Sequence, residues 1–244
     1  AALIDARAKD VRGIWVNQGR EDGRIASVLA AAEVVGVAIQ SVPAQWFEHN
    51  LPGEVSHQGI AASAPPPACM SEAALLAQIE QEPAPFLLIL DGITDPHNLG
   101  ACLRTAEAAG VMAVLAPKDR SAPLNATVYK VASGAAERVP FAVVSNLARA
   151  LKRLRQAGVW LVGLAEGGER DLFELDLTGP LGLVLGAEGH GLRRLTRESC
   201  DFLAALPMHG QVESLNVSVA AGITLYEALR QRQVAASRSP AKPI

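Results

Sequence analysis

Residues 86–104 read FLLILDGITDPHNLGACLR. Phe86–Leu90 is a continuous apolar run of strand length, the pattern of a strand buried on both faces of a sheet. Asp95-Pro96 breaks the chain, Asn98 is placed to cap a helix, and Leu99–Ala109 has helical spacing. Gly100, in the first turn of that helix, leaves room for another backbone to come close. The same strand–helix unit recurs downstream. Strands are expected at Val111–Leu115, Val159–Leu164, Leu181–Leu185 and Phe202–Leu206, and helices at Asn125–Ser133 and Leu147–Gln156. A last helix is expected over Leu215–Arg230, with Leu215, Val219, Ile223, Tyr226 and Leu229 on one apolar stripe. The expected fold is α/β, with a mostly parallel sheet that binds ligands at the carboxyl ends of its strands.

Upstream, SAPPPACMSEAALLAQIEQEPAP at 63–85 brackets a short Ala/Leu/Glu stretch with prolines, and a small helix is expected to begin at Ser71. Proline clusters suit boundaries, so residues 65–85 are read as a linker. Residues 1–64 then form a small α/β module of their own. Its expected strands are Arg12–Val16, Val37–Val42 and Gly59–Ala62, and its expected helices are Gly23–Gly36 and Ala44–Glu48. The catalytic-type domain is expected over 86–230, with 231–244 a disordered tail.

Half of the 244 residues are hydrophobic and 19% are charged, enough to bury a core. Aromatics make up only 4%, so that core is aliphatic. No apolar run approaches the ~18–20 residues that cross a bilayer, and the start carries no secretory pattern. The chain does not open with Met, so its natural start is expected upstream. Cys69, Cys102 and Cys200 are odd in number and lack metal-type spacing, which points to a reducing cytoplasm. The net charge of −3 leaves any nucleic-acid binding to local basic patches.

Three loops carry chemistry. In 91–104, Asn98 is either a cap or a functional amide. Arg104 either grips a phosphate with its planar fork or simply pairs with Glu107 one turn on. In 183–192 (LVLGAEGHGL), Gly186, Gly189 and Gly191 free the backbone to face a ligand. Glu188 stands among them, as a ribose or orienting carboxylate or as an exposed turn residue. The glycine order is neither the dinucleotide fingerprint nor a P-loop. Next come Arg193, Arg194 and Arg197; on a helix they form a basic face that suits RNA phosphate or is solvated surface. In 206–217 (LPMHGQVESLNV), the strand ends at Pro207 and Ser214 is placed to cap the last helix. That leaves peptide amides for an electron-rich group and Asn216 as donor and acceptor. His97, His190 and His209 lie in these loops without metal-ligand spacing, so no metal is expected. Cys102 reads as a small buried residue.

Taken together, Asn98-Leu-Gly-x-x-x-Arg104, Leu185-Gly186-x-Glu188-Gly189-x-Gly191, and Pro207 followed by Ser214-Leu215-Asn216-Val217-Ser218 resemble the three motifs of the SpoU/TrmH family of 2′-O-ribose RNA methyltransferases. Order and spacing match over 86–230. The likeness is greatest to the branch acting on guanosine ribose in bacterial 23S rRNA. The resemblance implies a SPOUT fold with a C-terminal trefoil knot, preceded by a domain similar to ribosomal protein L30e. It implies S-adenosyl-L-methionine as cofactor, held on Gly186, Gly189, Leu206, Pro207, Ser214 and Leu215, largely by backbone. It implies Arg104, Asn98, Glu188 and Asn216 as catalytic residues. It also implies 23S rRNA as partner and a homodimer formed through the knotted domain, with no membrane. Methylation of transfer RNA or of another rRNA site, and a catalytically silent RNA-binding module, are the alternatives. The family's opening Gly-x-x-x-Val segment is absent here, which fits a trimmed start.

Overall fold

A computed structural model describes residues 1–20, 22–51 and 57–238. The chain divides into two compact units, Ala1–Pro67 and Ala68–Ile244. The first holds α1 (Ala2–Arg7), β1 (Gly13–Asn17), α2 (Gly23–Val34), β2 (Ile39–Val42), α3 (Ala44–Asn50) and β3 (Ile60–Ser63). Its sheet runs β2-β1-β3, with β1 parallel to β2 and antiparallel to β3. Ile14 packs with Ile4 and Ala32 on one face. Strand alternation turns Trp15 to the other face, where it stacks on Trp46 at 5.1 Å and donates to Gln40 Oε1. The helix α1 has no clear sequence signal: it spans six residues and buries only Ile4.

The second unit begins earlier than the expected linker allows. Ser71 caps α4 (Glu72–Ile79) by accepting from the Ala74 amide, and Leu75 and Ile79 are buried in that unit's core. Residues 72–79 are therefore core-forming and not linker, because the apolar face between the proline clusters has a sheet to cover. The remaining elements are β4 (Phe86–Asp91), α5 (Pro96–Ala108), β5 (Ala113–Pro117), α6 (Ala126–Ala132), β6 (Phe141–Val144), α7 (Leu147–Gln156), β7 (Trp160–Leu164), β8 (Arg170–Asp171), β9 (Leu181–Gly186), α8 (Arg194–Ser199), β10 (Phe202–Ala205) and α9 (Val217–Arg238). The strands form a seven-stranded parallel sheet in the order β6-β5-β4-β9-β7-β10-β8.

All six residues of β4 are buried. Leu88 and Leu90 face the layer containing Leu99 and Leu103 of α5 and Leu225 of α9, whereas Leu87 and Ile89 face Leu75 of α4 and Leu151 of α7. A continuous apolar run is thus what a strand between two helical layers requires. The strand β6 is not among the expected strands, because a four-residue apolar run between two helices has no period to read.

The helix α9 runs past Arg230 to Arg238, so residues 231–238 are helix and not tail. Two side chains hold it there. Gln231 accepts from the Leu177 amide and donates to the Leu175 carbonyl, and Arg232 donates to the Leu177 and Ala84 carbonyls while lying 4.5 Å over the Phe86 ring. The rest of the expected tail, 239–244, lies outside the described residues. Among the described residues no helix is long and apolar enough to cross a membrane.

Candidate active site

The chain leaves β4 toward β5 and β6 on one side and returns on the other side at β9. Strands that diverge in this way open a crevice at their carboxyl ends. Three loops meet there: 91–96 after β4, 118–125 after β5 and 187–193 after β9. The first residue into the crevice is Asp91, at 1% exposure. A carboxylate so deep requires partners. It accepts from the Arg193 amide at 2.9 Å and from Arg193 Nε at 2.6 Å, with Nη2 of the same side chain as ion-pair partner. Asp91 is a site residue that sequence reasoning misses; its one signal is a carboxylate closing an otherwise apolar strand.

Beside that pair, the three motifs are joined by hydrogen bonds. Asn216 Oδ1 accepts from the Ser218 amide at 2.9 Å and from the Ser218 hydroxyl. A peptide N–H can only donate, so this fixes the orientation of the Asn216 amide. Its Nδ2 then donates to Glu188 Oε1 at 2.5 Å and to Asn98 Oδ1 at 3.0 Å. That in turn leaves Asn98 Nδ2 to donate to the same Glu188 oxygen at 3.1 Å. The Val217 amide reaches it too, at 3.4 Å. One carboxylate oxygen therefore gathers residues 90 and 28 positions away in sequence. Asn98, Glu188 and Val217 form part of the wall of a cleft of ≈ 700 Å³.

The expected caps are displaced. Asp95, not Asn98, caps α5 through the His97 amide, with Pro96 as the first helical residue, so Asn98 is free to face the cleft. Asn216, not Ser214, caps α9. Gly100 does allow a close approach: a Cβ there would stand 3.0 Å from the Val128 carbonyl oxygen of α6 and 2.7 Å from the Val131 side chain. Gly186 is more tightly constrained, since its Cβ would lie 2.1 Å from the carbonyl carbon of Gly191. The loop folds back on itself through an Ala187–Gly191 bridge, with Gly189 exposed at its tip. Leu206 and Leu215 are half-buried, and Pro207 and Ser214 are exposed between them. From Pro207 to Leu215 the peptide groups make no hydrogen bonds to other described residues; 207–214 are exposed, and none of these residues lines the cleft.

Arg104 is exposed on α5 and does not line the cleft. It makes no ion pair or hydrogen bond among the described residues, and Glu107 faces Arg138 at 3.8 Å instead. The three arginines of the expected basic face have different fates. Arg193 is held by Asp91, Arg194 pairs with Glu198 at 2.8 Å, and Arg197 stays exposed. Cys102 is fully buried; burial first, and then the Glu188 charge, push its thiol up to about 12. Among the described residues no group of His, Cys, Asp and Glu is placed to hold a metal ion. The larger hollow, ≈ 800 Å³ in the first unit, is lined in part by Arg20, whose guanidinium is already committed to Asp22 and the Gln58 carbonyl.

Comparison with known proteins places this site in a family. Residues 85–226 match the SpoU rRNA methylase family, and residues 1–69 match an RNA 2′-O ribose methyltransferase substrate-binding domain. The 23S rRNA (guanosine-2′-O-)-methyltransferase RlmB of Pseudomonas aeruginosa is 53% identical over 232 residues, covering 95% of this chain and 93% of its own. The enzyme of the same name from Photorhabdus laumondii is 52% identical over 231 residues, covering 95% and 94%. Among solved structures, the SpoU methyltransferase AviRb from Streptomyces viridochromogenes superposes with a TM-score of 0.79 at 23% identity, covering 96% of this chain and 89% of its own. An AdoMet-bound rRNA methyltransferase from Sinorhizobium meliloti gives 0.72 at 24%, covering 94% and 84%. At these identities the structural likeness is one of fold. With its motifs converging on one carboxylate, and with sequence matches over nearly its whole length, the chain belongs to the SpoU rRNA methylase family.

Proposed function

We propose that this protein transfers the methyl group of S-adenosylmethionine to the 2′-hydroxyl of a guanosine in 23S rRNA. The observation that carries the reading is the Asn98–Glu188–Asn216 network, in which the three motifs meet at one oxygen. The names of relatives at about half identity over nearly the full chain supply the RNA and the base.

The residues present fit the cofactor. An adenosine is recognised by peptide donors and acceptors, and the unpaired peptide groups of 207–215 together with the glycine-opened 186–191 loop offer them. Gly186, Gly189, Leu206, Pro207, Ser214 and Leu215 are the residues that would hold it. Bound there, it supplies a sulfonium-activated methyl, so the protein's task is alignment. Glu188, fixed by two amides, orients the target ribose. Arg104, exposed on α5 and outside the cleft lining, holds a phosphate of the RNA with its planar fork. Arg194 and Arg197 lie on an exposed helix open to RNA backbone.

The first unit, matched by the substrate-binding model, selects the RNA. The C-terminal segment threads a trefoil knot, and two copies pair through α9, whose Val219, Ile223 and Tyr226 face outward. The place of action is the cytoplasm, where ribosomal RNA is processed. The test is methyl transfer in vitro to 23S rRNA fragments with labelled cofactor, then nuclease mapping. Label on a guanosine ribose supports the reading. Label on a base, or on transfer RNA alone, refutes it.

A further inference from the structure

The third loop of the crevice, after β5, contains Arg120. This residue adopts φ +60°, a backbone region that suits glycine and strains an arginine. The strain is imposed from both sides. The Ala122 amide donates to the Ile93 carbonyl at 2.8 Å, and the Lys118 amide donates to the Val144 carbonyl at 2.8 Å, so the loop is pinned to its neighbours. Were only the turn required, glycine would serve better, and an outlier of this kind points to the side chain. Arg120 lines the cleft of Asn98 and Glu188 and is exposed, and its side chain makes no hydrogen bond or ion pair among the described residues. Of the carboxylates that line the cleft, Asp91 is paired with Arg193, Glu188 accepts from the two amides, and Asp95 contacts the His97 amide and ring; Asp119, next to Arg120 in the chain, makes no ion pair with it.

We propose that Arg120 binds a phosphodiester of the substrate RNA beside the target nucleotide. The inference rests on the methyl-transfer reading above. A planar guanidinium fork matches two phosphate oxygens, and the buried carboxylate of the cleft, Asp91, is neutralised by Arg193. The cofactor's carboxylate is the other anion available, but small ligands are mostly engulfed by their sites, whereas Arg120 stands exposed where a long RNA backbone would pass.

Arg120→Gly is the decisive variant, because it removes the guanidinium and relieves the backbone; Arg120→Asn, which also tolerates this region, is the second. Binding of a 23S rRNA fragment is measured across a salt series, alongside cofactor affinity without RNA. Both variants are expected to bind RNA about tenfold more weakly, with the slope of log K against log salt reduced by about one. Arg120→Lys is expected to keep the slope and recover only part of the affinity, and cofactor affinity is expected to stay within about twofold in all three. Unchanged RNA affinity and slope in Arg120→Gly overturns the proposal, as does weakened cofactor binding with RNA binding intact. If the unsubstituted protein methylates no RNA, the functional reading falls and this inference with it; if it does so and Arg120→Gly is indistinguishable from it, the inference alone falls.

Discussion

At the scale of single residues, Glu188 concentrates the site's chemistry. Glu188→Ala would leave Asn98 Nδ2, on a residue 8% exposed, without an acceptor. Orphaned donors of this kind cost about 1–3 kcal/mol, and a misplaced ribose costs about a hundredfold in turnover. Glu188→Gln, which can offer its own oxygen to both amides, is expected to keep most of the stability while losing turnover. Melting curves and initial rates check the two effects separately, and equal loss of stability in both variants would contradict the argument. The cysteines make a prediction about pH. Burial pushes the thiols of Cys102 and Cys200 up to about 12 from an ordinary 9.0. Above 9 the unfolded chain sheds these protons while the folded protein keeps them, so the unfolded state gains. Stability is therefore unaffected by these groups below pH 9 and falls from there toward 12 as pH rises. A Cys102→Ala, Cys200→Ala double variant should flatten the decline in melting temperature between about pH 9 and about pH 11. An unchanged slope would remove the thiols as its cause.

At the scale of elements, the loops decide what was readable. The strand at Phe86, the helix starting after Ser71 and α7 over Leu147–Gln156 are dictated by local pattern and cap chemistry, and the structure has them. Which asparagine caps which helix was not readable. Asp95, Asn98, Ser214 and Asn216 are all good caps by type, and the choice is made by a carboxylate 90 residues from Asn98. The engagement of Arg193 by Asp91 was hidden for the same reason, the two being 102 residues apart. The tightest local constraint lies at Gly186, where a methyl would sit inside the Gly191 carbonyl. Gly186→Ala must push the 187–191 loop outward, an overpacking that costs about 1–3 kcal/mol, or a drop of several degrees in melting temperature. Because that loop carries Glu188, cofactor affinity is expected to fall further than stability. Calorimetric titration beside a melting curve checks it, and full affinity in the variant would show that the loop does not touch the cofactor.

At the scale of the whole molecule, strand and helix alternation implied a parallel α/β sheet, but not the order in which β9 returns beside β4; that order creates the crevice. The stripe on α9 was legible as apolar, yet its direction was not. Val217, Ala221, Leu225 and Ala228 face the core, while Val219, Ile223 and Tyr226 remain 49%, 36% and 51% exposed. Three large apolar residues spaced for one helical face are what an isologous interface uses, since a two-fold axis lays the same patch against itself. On a monomer, Ile223→Glu would alter stability by no more than about 0.5 kcal/mol, as surface changes do. Across a two-fold it would bring two carboxylates into an apolar contact, and the pair would come apart. Sedimentation velocity at micromolar concentration is expected to show a dimer for the unsubstituted protein and a monomer for Ile223→Glu, with the melting transition of the variant still cooperative. A variant that remains dimeric, or an unsubstituted protein that sediments as a monomer, would place the interface elsewhere or nowhere.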